Sequence, residues 1–181
     1  MATDATRLNG ALALDTDAMI RVDQAGEYGA ARIYAGQLAV MGARAPGAAA
    51  IARMRQQEQR HLDVFDALLT RRGVRPTLIA PLWHVAGYAL GVATALIGPQ
   101  AAMACTAAVE TEIDAHYQAQ RDALGDADPE LAAHIADFQG EEVEHKATAL
   151  EHGAEGALGY PLMTAVIRAG CRVAIAVSTR V

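Results

Sequence analysis

The sequence predicts an all-α protein, and three observations support this fold class. Hydrophobic residues make up 52% of the 181-residue chain, whereas aromatic residues make up only 4%. Long stretches consist of Ala, Leu, Glu, Gln and Arg, which favour helix over strand. Apolar residues also recur every three or four positions, as on a helix with one buried face. We expect one helical domain at residues 18–181, after a flexible N-terminal lead-in at residues 1–17.

The first two helices are bounded by recognisable end signals. Asp15, Thr16 or Asp17 caps a helix that begins near Ala18 and runs to about Met41. Residues 42–47 form a turn, and Pro46 is suited to opening the second helix. That helix ends at Gly73, a residue type common directly after helices. On each predicted inward face, a glutamate interrupts the apolar residues: Glu27 on the first helix and Glu58 on the second.

Two further long helices follow later in the chain. One spans residues 100–124 and ends at residues 125–128, and its inner face carries Glu110. The next begins with Asp128, Pro129 and Glu130, which provide a cap, a proline at the first position and an acid in the first turn. This helix runs to about residue 152, with Glu142 and His145 on its inner face.

Two other segments are strongly apolar. Residues 76–109 contain no charged side chain, and the least interrupted part, residues 82–98, is at or just below the length of roughly 17–25 residues that crosses a bilayer, so a spanning helix is not favoured. This part is either a crossover buried inside a bundle or a surface that enters one membrane leaflet or receives an apolar ligand. Residues 160–177 form a fifth helix that carries Arg168 and Arg172 one turn apart. This helix either meets a membrane, with the arginines on lipid phosphates, or belongs to the core.

The acids on the four inner faces form an internal repeat. Glu27 precedes Glu58 by 31 residues, and Glu110 precedes Glu142 by 32. His61 and His145 each follow their glutamate by three positions, which places acid and imidazole on one helix face. Four-helix bundles that hold two metal ions use this arrangement of four carboxylates and two imidazoles. The repeat therefore predicts a metal centre built from Glu27, Glu58, His61, Glu110, Glu142 and His145.

Four buried carboxylates must have their charge neutralised, because burying one unpaired ion costs on the order of several kcal/mol. Two divalent cations do so, and oxygen ligands with one imidazole per ion favour iron or manganese over zinc. We expect iron. Glu112, Glu141 and Glu144 lie off the inner faces, either solvated or bonded to imidazole N–H groups. Asp23 and Asp114 are further candidates for orienting a ligand.

Several strings along the chain resemble one family, the demethoxyubiquinone hydroxylases, which are ferritin-like enzymes of ubiquinone biosynthesis. The resemblance extends from Met19 to the C-terminus. It rests on RVDQAGEYGA at 21–30, RIYAGQ at 32–37, RPT at 75–77, PLW at 81–83, AMACT at 102–106 and AGCRVAI at 169–175.

The resemblance implies a ferritin-like four-helix bundle with additional apolar helices that contact a membrane. It places the same six residues at the iron positions, and it places His116 and Tyr117 beside the iron centre and substrate, as contacts of the ring or an electron relay. The implied activity is an O2-dependent, di-iron monooxygenase that hydroxylates the ring of a demethoxyubiquinol carrying an isoprenoid tail. Two departures, Gln24 and Thr111-Glu112, affect no ligand.

The same resemblance implies partners and a location. Electrons come from NADH or from the quinol, and a lipid-binding protein or a second copy of the chain assists. Residues 1–17 have neither a signal-peptide nor a transit-peptide pattern, so we expect a peripheral protein on the cytoplasmic face of a bacterial inner membrane. The net charge of −6 argues against nucleic acid, and two cysteines in apolar sequence indicate a reducing compartment.

Two alternatives belong to other functional classes. The first is another ferritin-like di-metal activity, such as a ferroxidase or a peroxidase. A rubredoxin-type pair of Cys-x-x-Cys motifs is absent from the sequence, and the long uncharged run is unlike a soluble storage shell. The second is a non-enzymatic scaffold that binds quinone or lipid, which leaves four core-facing glutamates unexplained.

Overall fold

The computed structural model describes residues 15–181, which form six α-helices and no strand. The helices are α1 (Thr16–Met41), α2 (Ala48–Arg72), α3 (Ala80–Ile97), α4 (Pro99–Leu124), α5 (Pro129–Glu151) and α6 (Tyr160–Ser178), with a 3-10 turn at Ala154–Gly156. The prediction of an all-α bundle with two additional apolar helices is confirmed. Most of the predicted N-terminal lead-in, residues 1–14, lies outside the described residues.

The helix ends agree with the expected signals, with small differences. The amide of Ala18 donates to Asp15 Oδ1 over 2.9 Å, so Asp15 is the cap and α1 begins at Thr16, two residues before the expected start. α2 begins at Ala48 and not at Pro46, because Gly47 has a left-handed conformation with φ of 80° and cannot belong to the helix. At α5, Asp128 Oδ1 accepts from the Leu131 amide over 3.1 Å.

Helices α1, α2, α4 and α5 form a bundle whose core has three layers. One apolar layer includes Tyr34, Met54 and Met103 near one end of the bundle, and a second includes Ile20, Phe65 and Phe138 near the other. On every helix the predicted acids lie in sequence between residues of these two layers. The four helices therefore bury a polar layer between two apolar ones.

The chain consists of two similar halves of three helices each. In each half a pair of antiparallel helices, α1–α2 or α4–α5, is followed by an apolar helix, α3 or α6. α3 packs against α1, and α6 packs against α4, so the third helix of each half covers the first. The internal repeat predicted from the glutamates thus extends to the complete fold.

The contact between α3 and α1 depends on two glycines that let the helix backbones touch. A Cβ atom at Gly91 would lie 2.0 Å from the carbonyl oxygen of Ile33, and one at Gly36 would lie 2.2 Å from that of Tyr88. Neither neighbour is a side chain that can rotate away. The two backbones would have to separate to admit even a methyl group.

Both apolar helices lie on the outside of the bundle, and each is long and apolar enough to cross a membrane by length and composition. Only 17% of α3 and 11% of α6 is buried. Large apolar side chains point outward, including Leu82 (57% exposed), Val85 (65%), Leu96 (71%), Leu162 (72%), Val166 (63%) and Val173 (60%). The alternatives of a buried crossover for residues 82–98 and of a core helix for residues 160–177 are therefore wrong.

The arginines of α6 have a protein partner. Arg168 Nε and Arg172 Nη1 both donate to Glu112 Oε1, over 2.5 and 3.0 Å. Glu112 is buried, so the expectation that it is solvated or bonded to an imidazole is wrong. The two arginines hold α6 against α4 through these charge-assisted hydrogen bonds. Because Glu112 offsets part of their positive charge, less of it is available to a lipid phosphate.

Substitution of Gly91 by alanine tests the α1–α3 contact. Because the methyl group collides with a backbone carbonyl, we expect the free energy of unfolding to fall by about 2 kcal/mol. Gly140→Ala on α5 is the matched control, since a Cβ there has no atom within 4 Å. The control should gain up to about 1 kcal/mol from its higher helix propensity. Urea unfolding followed by circular dichroism measures both, and equal stability of Gly91→Ala and the unchanged protein would contradict the contact.

Candidate metal centre

The six residues predicted from the repeat meet in the polar layer of the bundle. Glu27, Glu58, His61 and Glu142 have ligand atoms within 4.8 Å of one another, and so do Glu58, Glu110, Glu142 and His145. All six side chains are buried. Glu58 and Glu142 belong to both groups, so they lie between two adjacent positions. Each position has one imidazole and one further carboxylate, Glu27 or Glu110.

Both imidazoles turn the same nitrogen toward the carboxylates. His61 Nδ1 is 3.2 Å from Glu27 Oε2 and 3.2 Å from Glu142 Oε1. His145 Nδ1 is 3.2 Å from Glu58 Oε1 and 3.1 Å from Glu142 Oε2. The Glu-x-x-His spacing places each imidazole on the same helix face as its glutamate, and the packing of the helices brings in the other carboxylates. In each imidazole, Nδ1 is therefore the atom available to a metal ion.

The opposite ring nitrogens face polar partners from the other hairpin. His61 Nε2 lies 3.0 Å from Glu141 Oε2, and His145 Nε2 lies 3.1 Å from Gln57 Oε1. Both partners precede a glutamate of the cluster in sequence. Of the two roles considered for Glu141, the structure supports contact with an imidazole. Gln57 was missed, although it precedes Glu58 as Glu141 precedes Glu142.

Two buried tyrosines donate to the remaining glutamates. The Tyr117 hydroxyl donates to Glu27 Oε1, and the Tyr34 hydroxyl donates to Glu110 Oε1. Each tyrosine therefore holds the glutamate of the other half of the chain. Tyr34 was missed, and spacing could have found it, because Tyr34 follows Glu27 by seven residues as Tyr117 follows Glu110. Seven residues are two helical turns, so tyrosine and glutamate share a face.

The pKa values of the acids reflect their burial. Burial raises the pKa of Glu58 and Glu110 well above the ordinary value, and the Glu142 carboxylate beside them raises both further. At Glu142 burial is outweighed by hydrogen bonds from His145 and His61, which lower its pKa to about 2. The polar layer therefore resists holding four ionised carboxylates without further positive charge.

The donor set fits two divalent cations. Both oxygens of Glu58, Oε2 of Glu110 and Oε1 of Glu142 are buried without a well-aligned hydrogen bond. Buried carboxylate oxygens without donors are costly, and a cation satisfies them. Carboxylate-rich sites with one imidazole per ion differ from the thiolate and imidazole sets typical of structural zinc, and they match the dinuclear sites of helical bundles.

The structure separates His116 from this cluster while it brings Tyr117 in. His116 Nε2 lies 3.1 Å from Asp23 Oδ1 and 3.0 Å from Gln120 Nε2, at the edge of the bundle. Burial raises the pKa of Asp23 to about 6, despite its bond to His116. Asp114 accepts from Gln139 over 2.7 Å. The residues that contact the Nε2 atoms of His61 and His145 are thus Glu141 and Gln57, and not Asp23 and Asp114.

An apolar cavity of about 330 Å³ lies among α1, α3, α4 and α6. Its walls include Gly26 and Val109, which are adjacent in sequence to Glu27 and Glu110, so the cavity borders the two helices that carry these acids. The outer walls come from α3 and α6, through Trp83, Leu90, Val166 and Ile175 among others. The cavity therefore lies between the exposed apolar helices and the two helices that carry Glu27 and Glu110, while none of the six clustered residues lines it.

Comparisons with known proteins agree with this geometry. The family model described as "Ubiquinone biosynthesis protein COQ7" matches residues 15–178. The "3-demethoxyubiquinol 3-hydroxylase" of Rhodospirillum rubrum is 52% identical over 91% of this chain and 78% of its own length. The human "NADPH-dependent 3-demethoxyubiquinone 3-hydroxylase, mitochondrial" is 50% identical, over 91% and 77%. The "5-demethoxyubiquinone hydroxylase, mitochondrial" of Saccharomyces cerevisiae is 42% identical, over 93% and 79%.

Removal of one shared carboxylate tests the metal centre. We expect two iron ions per chain in the unchanged protein and, because Glu142 contributes to both ligand groups, fewer than one in Glu142→Gln. Glu144→Gln is the control, since Glu144 is exposed on the same helix and should leave both ions bound. Iron content is measured by a colorimetric chelator after anaerobic loading and desalting. Two ions bound to Glu142→Gln would contradict the assignment.

Proposed function

Because the chain belongs to the family of the ubiquinone biosynthesis protein COQ7, we propose that it hydroxylates the ring of a demethoxyubiquinol that carries an isoprenoid tail. The protein is a monooxygenase that uses O2 and acts in ubiquinone biosynthesis. The observation that carries this proposal is the coincidence of two features in one bundle. A buried cluster of four carboxylates and two imidazoles lies next to an apolar cavity that opens between two exposed apolar helices.

Two iron ions occupy the cluster in this proposal. One is held by Glu27 and His61, the other by Glu110 and His145, and Glu58 and Glu142 lie between them. When bound, the iron pair supplies the reduction of O2 and the insertion of one of its oxygen atoms into the quinol ring. The resemblance and the donor set both favour iron.

The protein keeps the ligands in place and the site dry. Tyr34 and Tyr117 hold Glu110 and Glu27 through hydrogen bonds, while Gln57 and Glu141 hold the imidazoles. The apolar layers on both sides exclude water, which strengthens electrostatic interactions and protects a reactive centre from side reactions. His116, predicted to contact the ring or relay electrons, contacts Asp23, and its role stays a prediction.

The substrate reaches the cavity from a lipid surface. An isoprenoid quinol resides in the bilayer, and the exposed faces of α3 and α6 provide apolar area that is unfavourable in water. We assign these faces to one leaflet, so that the protein is peripheral and located on the cytoplasmic face of a bacterial inner membrane. The cavity walls contributed by α3 and α6 then accept the ring and the first isoprene units.

The electron donor is NADH or the quinol itself. Two electrons and two protons are needed besides the substrate, because one oxygen atom enters the ring and the other leaves as water. The human relative is named as NADPH-dependent, which makes a reduced nicotinamide the first donor to test. A lipid-binding protein or a second copy of the chain assists delivery from the membrane in this proposal.

Product analysis tests the activity directly. Iron-loaded protein is incubated with a short-tailed demethoxyquinone, NADH or a chemical reductant, and 18O2, and the quinones are analysed by mass spectrometry. We expect a product with one added oxygen atom that carries the label. Glu142→Gln should form it more than about 100-fold more slowly, since the loss exceeds what partners outside the ligand set contribute.

Other outcomes would favour the alternatives. Oxidation of added ferrous iron or consumption of peroxide without an oxygenated quinone would indicate a ferroxidase or a peroxidase. Metal-free protein that is folded and equally active would contradict the metal centre. Retention of the quinone without any turnover would indicate a binding scaffold.

Filling the cavity tests the substrate path separately from the metal centre. Gly29 lines the cavity, and a Cβ there has no atom within 4 Å, so Gly29→Leu adds side-chain volume at the cavity wall without a clash at Cβ. We expect the KM for the demethoxyquinol to rise about tenfold while two irons remain bound. The reason is that a leucine side chain occupies cavity volume that the quinol would otherwise fill. Gly140→Leu, on the exposed face of α5, is the control and should leave KM unchanged. An unchanged KM in Gly29→Leu would place the substrate elsewhere.

A further inference from the structure

The two halves of the metal centre correspond residue by residue. Glu27 and Tyr34 correspond to Glu110 and Tyr117, each 83 positions later. Glu58 and His61 correspond to Glu142 and His145, each 84 positions later. The tyrosine bonds are reciprocal as well, so neither tyrosine distinguishes one half from the other.

The correspondence breaks at the residues behind the imidazoles. The position that holds Glu141 in the second half holds Gln57 in the first. His61 therefore bonds to a carboxylate through Nε2, whereas His145 bonds to a neutral amide oxygen. Among the groups that hydrogen-bond to the six predicted ligands, this pair alone differs in charge within the described part of the chain.

Glu141 and Gln57 also bond to each other. Gln57 Nε2 donates to Glu141 Oε2 over 3.2 Å, so the amide oxygen of Gln57 must face His145. Because Glu141 and the Gln57 oxygen can only accept, each imidazole keeps a hydrogen on Nε2, and Nδ1 is the nitrogen that would bind a metal ion in place of its own proton. One hydrogen-bonded pair thus holds the Nε2–H groups of both histidines.

The surroundings of the two imidazoles differ as well. Arg60 bonds to Glu141 and to Asp137, and Phe138 stacks on His61 with ring centroids 4.0 Å apart. His145, Gln57 and Arg60 border a groove of about 470 Å³, which is open to solvent. The carboxylate behind His61 is therefore held by Arg60, whereas the amide behind His145 bonds to Glu141.

We propose that Glu141 and Gln57 are positioning residues that make the two iron positions unequal, with the ion beside His61 holding the ferric state more strongly than the ion beside His145. This inference rests on the proposed function, since it concerns the same iron pair. An oxidised iron pair held by these residues would accept its first electron, supplied by dithionite in the experiment below, more readily at the position beside His145 than at the position beside His61.

The physical reason is the charge of the hydrogen-bond acceptor. A carboxylate that accepts from Nε2–H draws the proton toward itself and increases electron density at Nδ1, which makes the imidazole a stronger metal ligand. An amide oxygen does so less because it carries no net charge. A stronger ligand favours the ion of higher charge. Arg60 reduces the effect without removing it, because its charge is shared with Asp137.

The experiment uses the full chain loaded with 57Fe and two variants. In Glu141→Gln both imidazoles face amides, and in the double variant Gln57→Glu/Glu141→Gln the two partners are exchanged. Mössbauer spectra of the reduced protein measure the environments of the two irons, and stepwise reduction by dithionite measures their one-electron potentials. Glu144→Gln, beside the same groove, is the control and should leave spectra and potentials unchanged.

The unchanged protein should show two distinct doublets of equal area and two separated potentials. In Glu141→Gln the doublets should converge and the potentials approach each other, and the affinity of one iron-binding step should fall about tenfold. The exchanged variant should restore both separations. Two bound irons with a single doublet in the unchanged protein, or with unaltered spectra in Glu141→Gln, would overturn the inference while the proposed function stands.

The remaining outcomes also decide the matter. If Glu141→Gln loses iron, the exchanged variant carries the test: a restored separation supports the inference, and one doublet overturns it. Loss of iron from both variants would overturn it too, because the pair would then hold the fold of the site and not its asymmetry. Protein that binds fewer than two irons without any substitution would overturn both the inference and the proposed function.

Discussion

The burial of four carboxylates in one layer of a helical core is the constraint on which the rest of this structure depends. Glu27, Glu58, Glu110 and Glu142 are at most 1% exposed, and burial raises the pKa of Glu58 and Glu110 well above the ordinary value. A bundle can contain such a layer only if cations or imidazoles offset the charge and if apolar layers stabilise the fold on both sides. The two clusters around Ile51 and Ile135 provide that stabilisation.

The same constraint separates the tasks of the helices. The inner faces of the four bundle helices carry the acids and imidazoles of the polar layer. An apolar small molecule must therefore bind outside this core. α3 and α6 provide that place, because they cover α1 and α4 on the outside and leave a cavity between. The charges of the polar layer are neutralised inside the bundle, by α2, α5 and the helices packed against them. The exposed apolar side chains, in contrast, are concentrated on α3 and α6. The chemistry and the lipid-facing surface thus occupy opposite sides of α1 and α4.

The sequence predicted the bundle and the meeting of six ligands because both depend on local periodicity. Tyr34 and Gln57 could have been predicted in the same way, since the spacing that relates the glutamates also relates Tyr34 to Tyr117 and Gln57 to Glu141. The pairing of Glu112 with Arg168 and Arg172 was not, because it joins residues 56 and 60 positions apart through tertiary packing. The exposure of α3 could not be predicted from the sequence either, since a buried crossover helix and a lipid-facing helix have the same apolar composition.

The repeat of three helices has a geometric consequence for the cavity. The two halves are similar in helix order, and the cavity is bordered by both members of each corresponding pair, α1 with α4 and α3 with α6. Gly26 and Val109 are counterparts on its wall, as are Ala30 and Ile113. Helices of both halves therefore form the cavity wall. A flat ring bound there would lie against α1 and α4 together, so any preference for the side of Glu27 or of Glu110 must come from residues at which the two halves differ.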